Sequence, residues 1–336
     1  MELGLTTFAE LYPVGDRPAP TAAERLREVV DEAVATERAG LDVYGVGEHH
    51  RKDFAASAPA VVLAAIAART ERIRLTSAVS VLSSDDPVRM YQDFATLDGL
   101  SNGRAELMAG RGSFTESFPL FGYDLSDYDE LFEEKLALLL HIREDEPVTW
   151  NGKFRAPLRD AVIYPRTDSR PLPVWIAVGG SPESVVRAGL LGLPLAIAII
   201  GGQPARFKPL VDLYHRALEQ GGHDEQPVAV HAHGYIADTD EQAVADFYEP
   251  YAVAMSTIGR ERGWGSMTGP QFDAMRSQSG SLFVGTPDYV AEKIADIRDT
   301  LGLDRFMLHT SVGTLPHEKV LHNIDLLGTK VAPQIG

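Results

Sequence analysis

Residues 73–113 read IRLTSAVSVLSSDDPVRMYQDFATLDGLSNGRAELMAGRGS and hold the rhythm of the whole chain. Ile73 to Leu82 is a β-branched, apolar run that predicts a strand. Pro87 to Leu100 predicts a helix, with Pro in its first turn and Met90, Phe94 and Leu97 inward, and Ala105 to Ala109 opens the next strand. Upstream, Glu2 to Phe8 reads as a strand. Thr21 to Ala39 places Leu26, Val29, Val30, Ala33 and Val34 on one helical face before Gly40, and Asp42 to Gly47 then pairs as strand with the helix Pro59 to Arg69.

Downstream the alternation continues. Tyr128 to Ile142 is a leucine-rich helix, and Val148 to Tyr164 is a hairpin excursion signalled by Asn151-Gly152 between Trp150 and Phe154. Strands follow at Leu172–Val178, Leu195–Ile200 and Val228–Ile236, with helices at Pro182–Leu191, Ala205–Gln220 and from Glu241 onward. Gly259 to Gly280 interrupts as a lid or insertion before the helix Pro287–Leu301, the last strand Arg305–Thr310 and its helix Pro316–Leu327. Eight βα units without a break in composition predict one (β/α)8 TIM barrel over residues 1–336, because parallel strands need helical crossovers and cover on both faces. A doubly wound sheet would want roughly six strands and a Gly-x-Gly-x-x-Gly after the first, which is absent.

The chain has 336 residues, no cysteine and a formal net charge of −17. That charge, with no basic block, disfavours nucleic acid and anionic membrane surfaces as partners. The start lacks a signal-peptide pattern, and the longest apolar run, Leu193 to Ile200, is far shorter than the roughly 20 residues of a membrane helix, so a cytoplasmic location is expected. Without thiols, catalysis falls to His, carboxylates, hydroxyls or a cofactor.

Active sites of such barrels lie at the C-terminal ends of the strands. Glu48-His49-His50-Arg51 follows strand two, and is either a surface ion-pair turn or a titrating histidine site. Gly110-Arg111-Gly112-Ser113 follows strand four, with an arginine fork for an anionic oxygen. Gly179-Gly180-Ser181-Pro182-Glu183-Ser184 opens a helix, either as a phosphate site or as an ordinary Ser N-cap with Pro in the first turn. His231 and His233 share one face of strand seven and could bind a metal, although no carboxylate pair nearby completes a site, so none is assigned.

Several of these fragments together resemble the bacterial luciferase-like flavin monooxygenases. They are Glu48-His49-His50, Thr76 to Leu82 with Asp86-Pro87-Val88-Arg89, Leu97 to Arg104, Gly110-Arg111-Gly112, Val178 to Ser181, Val284 to Pro287 and Val331-Ala332-Pro333. The resemblance implies a barrel that binds reduced FMN, or a deazaflavin coenzyme, at its C-terminal mouth. By position it implies Ala78 and Val79, often joined by a cis peptide, beside the flavin ring, with Gly110 nearby. Arg111, Gly179, Gly180, Ser181 and Ser184 would hold the phosphate, and His49 would act as proton donor or acceptor with His50 and Glu48 orienting it. Gly110 stands where luciferase has a cysteine and Gly180 where it has an acidic residue, so bioluminescence is not expected.

The expected function is therefore FMN-dependent monooxygenation of a small organic substrate, with reduced flavin supplied by a separate flavin reductase. Alternatives are deazaflavin-dependent hydride transfer, a metal-dependent barrel hydrolase using His231 and His233, and a non-catalytic flavin-binding protein. Trp264, Met267, Phe272 and Arg262 would cap the substrate pocket. A homodimer is expected because Leu136, Leu138, Leu139 and Leu140 make their helix apolar around its circumference.

Overall fold

The structure, a computed structural model, describes residues 1–144, 146–167 and 171–335. Eight parallel strands pair in sequence: β1 (Glu2–Thr7), β2 (Val43–Val46), β3 (Arg74–Ser77), β4 (Ala105–Gly110), β5 (Val174–Val178), β6 (Leu195–Ile199), β7 (Val228–Ile236) and β8 (Arg305–His309). β8 returns to β1 through the register Glu2↔Arg305 to Thr6↔His309, which closes the barrel and leaves no edge among these strands.

The helices that follow the strands are α1 (Ala22–Arg38), α2 (Pro59–Ala67), α3 (Pro87–Ser101), α4 (Tyr128–Glu144), α5 (Pro182–Leu190), α6 (Lys208–Gly221), α7 (Asp240–Arg262) and α8 (His317–Leu326). Their starts follow from local chemistry. Thr21 and Glu24 form a capping box before α1, and the Asp86 carboxylate accepts the Val88 and Arg89 amides ahead of Pro87. Among the described residues no helix is long and apolar enough to cross a membrane.

Four expectations shift. The third strand is broken at a cis Ala78-Val79 peptide and resumes as Ser80–Val81 beside the end of β4. The excursion is an antiparallel pair, Val148–Trp150 with Leu158–Ala161, but its loop is longer than Asn151-Gly152. The Glu134 carboxylate accepts the amides of Lys153, Phe154 and Arg155, so this acidic side chain on α4 organises the loop. α7 runs on to Arg262, so the first residues of the expected lid are helical. Leu136, Leu138 and Leu139 are fully buried within the chain, where α4 lies against α3, and these three leucines supply no face in need of a second cover.

Inside the barrel, alternation along the strands stacks the inward side chains in layers. On β8 the ascending order is Arg305, Met307, His309. Arg305 forms a fork to Glu106 at 2.6 and 3.1 Å, bonds Glu2 at 2.7 Å and lies 4.4 Å from the Trp175 ring centroid. Burial alone would raise the Glu106 carboxyl, but Arg305 and Arg74 outweigh it and hold the group below the usual carboxylate range. Above this base, Val43, Met108, Trp175, Ala196, Ala229 and Met307 fill the barrel. Glu106→Ala should cost about 3 kcal/mol in denaturant unfolding, the lower end for breaking a buried pair because Glu2 still faces Arg305. The double change Glu106→Leu, Arg305→Met should recover most of that loss.

Candidate active site

A cavity of about 500 Å³ opens at the C-terminal mouth, within the range of small-molecule sites. Met108, Met307, Ala177, Ala196 and Ala198 line it from the barrel interior, and Phe8, Phe54, Phe114, Met255 and Ile258 line it from the loops and α7. Of the residues singled out from sequence, Glu48, His49, His50, Ala78, Val79, Gly110, Arg111 and Gly179 border this cavity, as do His231 and His233. Gly180, Ser181 and Ser184 do not.

At the β2 tip the ion-pair reading of Glu48 to Arg51 describes part of the arrangement. His49 stacks on Phe54, with centroids 4.2 Å apart, and meets the edge of Phe8 at 4.5 Å. Burial, aided by the neighbouring His309, lowers its pKa to about 3, so it is a neutral ring near pH 7 and not the titrating group expected at a loop tip. Glu48 and His50 bond each other at 2.8 Å, and the second Glu48 oxygen accepts the Val81 amide. Glu48 and His50 therefore fix the segment after the cis peptide, and the orientation of His49 comes from Phe8 and Phe54 instead.

Arg51 is the ion-pair residue. It bonds Glu116 at 2.6 Å, Glu261 at 2.5 and 2.7 Å and Asp53 at 3.3 Å, and so ties the end of α7 to the loops after β2 and β4. Arg262 and Trp264 border the cavity, and the Arg262 guanidinium donates to the Ser113 carbonyl. Phe272, expected as part of the cap, is instead fully buried against Tyr248 and Tyr251. Met267 also falls outside the cavity lining.

At the opposite end, Arg111 pairs with Asp129, and its guanidinium lies over the Tyr128 ring at 5.2 Å. Ser181 takes the N-cap role: its Oγ accepts the Ser184 amide and donates to Glu183 at 2.8 Å. Glu183 also accepts its own amide, which with Ser181 and Arg111 lowers its carboxyl pKa. A carboxylate thus already occupies the start of α5. Gly179 and Gly201 have open space where a Cβ would stand, so the backbone there is accessible to a bound group.

Two residues that were not singled out from the sequence complete the site. Glu10 bonds His309 Nε2 at 2.6 Å and Ser311 Oγ at 2.8 Å, and His309 Nδ1 lies 3.1 Å from His231 Nε2. Period-two alternation on the last strand, Arg305-x-Met307-x-His309, would have pointed His309 inward; Glu10 lies beyond its strand and carries no comparable signal. His231 Nε2 is engaged by His309, which weakens the metal-hydrolase alternative. Among the described residues the one trio of His, Asp and Glu ligand atoms close enough for an ion is Glu28, Glu32 and His317, beside the buried Arg25.

Residues 1–305 match the family model described as luciferase-like monooxygenase. The chain belongs to that family. Within the luciferase-like family, it is 29% identical over 313 residues to N-acetyl-S-alkylcysteine monooxygenase of Bacillus subtilis, covering 87% of this chain and 89% of the relative. It is 33% identical over 175 residues to F420-dependent glucose-6-phosphate dehydrogenase of Amycolatopsis mediterranei, about half of each chain. In fold it resembles the oxygenating constituent of 3,6-diketocamphane monooxygenase of Pseudomonas putida, solved in complex with FMN. The TM-score is 0.81 at 19% identity, over 100% of this chain and 99% of that one. This luciferase-like protein is an oxidoreductase.

Burial lowers His49 and His231 to about 3 and His233 well below its ordinary value. The unfolded chain binds protons at these rings near pH 6.5 while the native state does not, so stability is fully present above 6.5 and is lost as pH falls toward 3. Each ring should contribute a slope of about 1.4 kcal/mol per pH unit once well below 6.5. Unfolding measured between pH 6 and 5 should approach this slope, and His49→Gln should make it shallower.

Proposed function

We propose that the protein is the cytoplasmic oxygenating partner of a two-component monooxygenase, taking reduced FMN from a separate flavin reductase and acting on a small organic molecule. The observation that carries this reading is the mouth cavity, whose lining brings Arg111 together with an apolar interior edged by Ala78 and Val79. Such a shape suits a flat ring system bearing one anionic tail. Arg111 would hold the phosphate, exchanging Asp129 for it, while the open backbone at Gly179 and Gly201 would admit the tail. Gly180, Ser181 and Ser184 would act only through the shape and cap of the α5 start.

When bound, reduced flavin supplies two electrons to O2, one oxygen atom passing to the substrate and the other to water. The residues of this chain exclude water and orient. Phe8, Phe54 and Phe114 wall the cavity, Arg51 keeps the α7 end across it, and neutral His49 offers an uncharged ring nitrogen to the reacting groups. The second reading, hydride transfer with a deazaflavin, rests on the identity to the F420-dependent relative. A homodimer would use the α2 and α3 faces, where Val61 and Leu100 are exposed.

Titration with reduced FMN and with reduced deazaflavin separates the two cofactor readings. FMN should bind more tightly than riboflavin. Arg111→Ala should weaken FMN by about tenfold to a hundredfold and remove most of that gap, while Arg111→Lys should restore part of it. Glu183→Gln should tighten FMN several-fold, since it removes a competing charge from the α5 start. Equal affinity of the unmodified protein for FMN and riboflavin would remove the phosphate site.

A further inference from the structure

The row Glu10, His309, His231 is buried and directional. Glu10 Oε2 accepts the Ser311 hydroxyl, which lies 2.9 Å from Thr7 Oγ1, and Thr7 Oγ1 in turn accepts the Ala9 amide. The other oxygen, Oε1, lies 2.6 Å from His309 Nε2. An ionised carboxylate can only accept, so the hydrogen of this contact sits on His309 Nε2, and with that ring neutral its Nδ1 keeps a lone pair. That lone pair faces His231 Nε2 at 3.1 Å, which must then carry the next hydrogen. Each bond fixes the tautomer of the next ring, and the end of the row is the lone pair on His231 Nδ1.

His231 lines the mouth cavity, with Phe8 and Met307 beside it. One step up the same face of β7, His233 Nδ1 is buried and has no hydrogen-bond partner among the described residues. An acceptor nitrogen in apolar surroundings favours a ligand that brings a donor over an isostere that does not, because the isostere leaves it desolvated and unmatched. The flat faces and edges of Phe8, Phe54 and Phe114 suit an aromatic body.

We propose that Glu10 and His309 are positioning residues that lock His231 with its Nδ1 as hydrogen-bond acceptor, making this end of the cavity a site for an aromatic substrate bearing a hydroxyl or N–H. The proposal rests on the cavity being the flavin and substrate site, but the lock itself is testable without flavin.

Protein labelled with ¹⁵N-histidine, read by long-range ¹⁵N–¹H correlation, should show His309 and His231 both protonated at Nε2 and bare at Nδ1. The opposite tautomer at His231 overturns the lock without any variant. In Glu10→Gln the carboxamide can keep its oxygen on Ser311 and donate its NH2 to His309 Nε2, so the row should reverse and His231 should become the Nδ1–H form. An unchanged His231 would also overturn the lock.

Phenol, toluene and anisole then test the ligand class. Phenol should move the His231 Nδ1 resonance and bind about tenfold more tightly than toluene or anisole. In Glu10→Gln the preference for phenol over anisole should shrink or invert. Equal binding of all three to the unmodified protein counts against the donor-bearing substrate. So does an Nδ1 shift produced by FMN alone with no further response to phenol, since the flavin would then be the donor. FMN affinity, measured separately on both proteins, reports on the flavin reading: its loss with the row intact would sink that reading and leave the lock standing.

Discussion

The structure depends on the alternation of side chains in a closed parallel barrel. Every second residue of every strand faces the interior, so height along a strand decides whether a group lies in the sealed base or at the open mouth. β8 shows this in five residues: Arg305 is closed into the basal ion network, Met307 fills the middle, and His309 reaches the site. The same rule on β7 carries Ala229, His231 and His233 from packing to chemistry. The basal charges can sit inside the barrel because each is matched by a fork or a second partner, and at the mouth burial holds His49, His231 and His233 neutral.

Burial also changes what the site can do. Five histidines at the mouth suggest acid–base traffic, but burial holds His49, His231 and His233 uncharged, so these three act through lone pairs, ring faces and fixed tautomers. Arginines stand around the mouth. Arg51 gathers three carboxylates and spans the entrance, while Arg111 stands between Asp129 and Glu183 at the far end. An aromatic, dry interior with a charged rim suits a reaction that must exclude water while admitting an anionic cofactor tail.

The two interruptions of the barrel differ in kind. The segment at 148–164 is organised from outside by Glu134 and borders nothing in the cavity. The α7 end and the residues after it reach the cavity through Ile258, Arg262 and Trp264, whereas the helix Gly269–Arg276 packs away from it through Phe272.

Periodicity along the chain determined the eight βα units and therefore the barrel, because parallel pairing and burial on both faces leave a pattern readable within each short window, as in residues 73–113. Strand ends likewise marked Glu48 to His50, Gly110, Arg111 and Gly179 as residues that could meet, and the family resemblance added Ala78 and Val79. What sequence could not supply was the state of those groups and the partners arriving from far along the chain. Glu10 and His309 are 299 residues apart, and Arg51 and Glu261 are 210 apart. Ser181 reads from sequence as a phosphate ligand or a cap, and only the structure shows its cap bonds and the Glu183 carboxylate beside it. His49 could titrate until Phe8 and Phe54 were seen to enclose it. Local pattern reports local geometry, whereas desolvation and hydrogen-bond partners are properties of whatever the closed barrel packs around a group, and only the tertiary structure decided those.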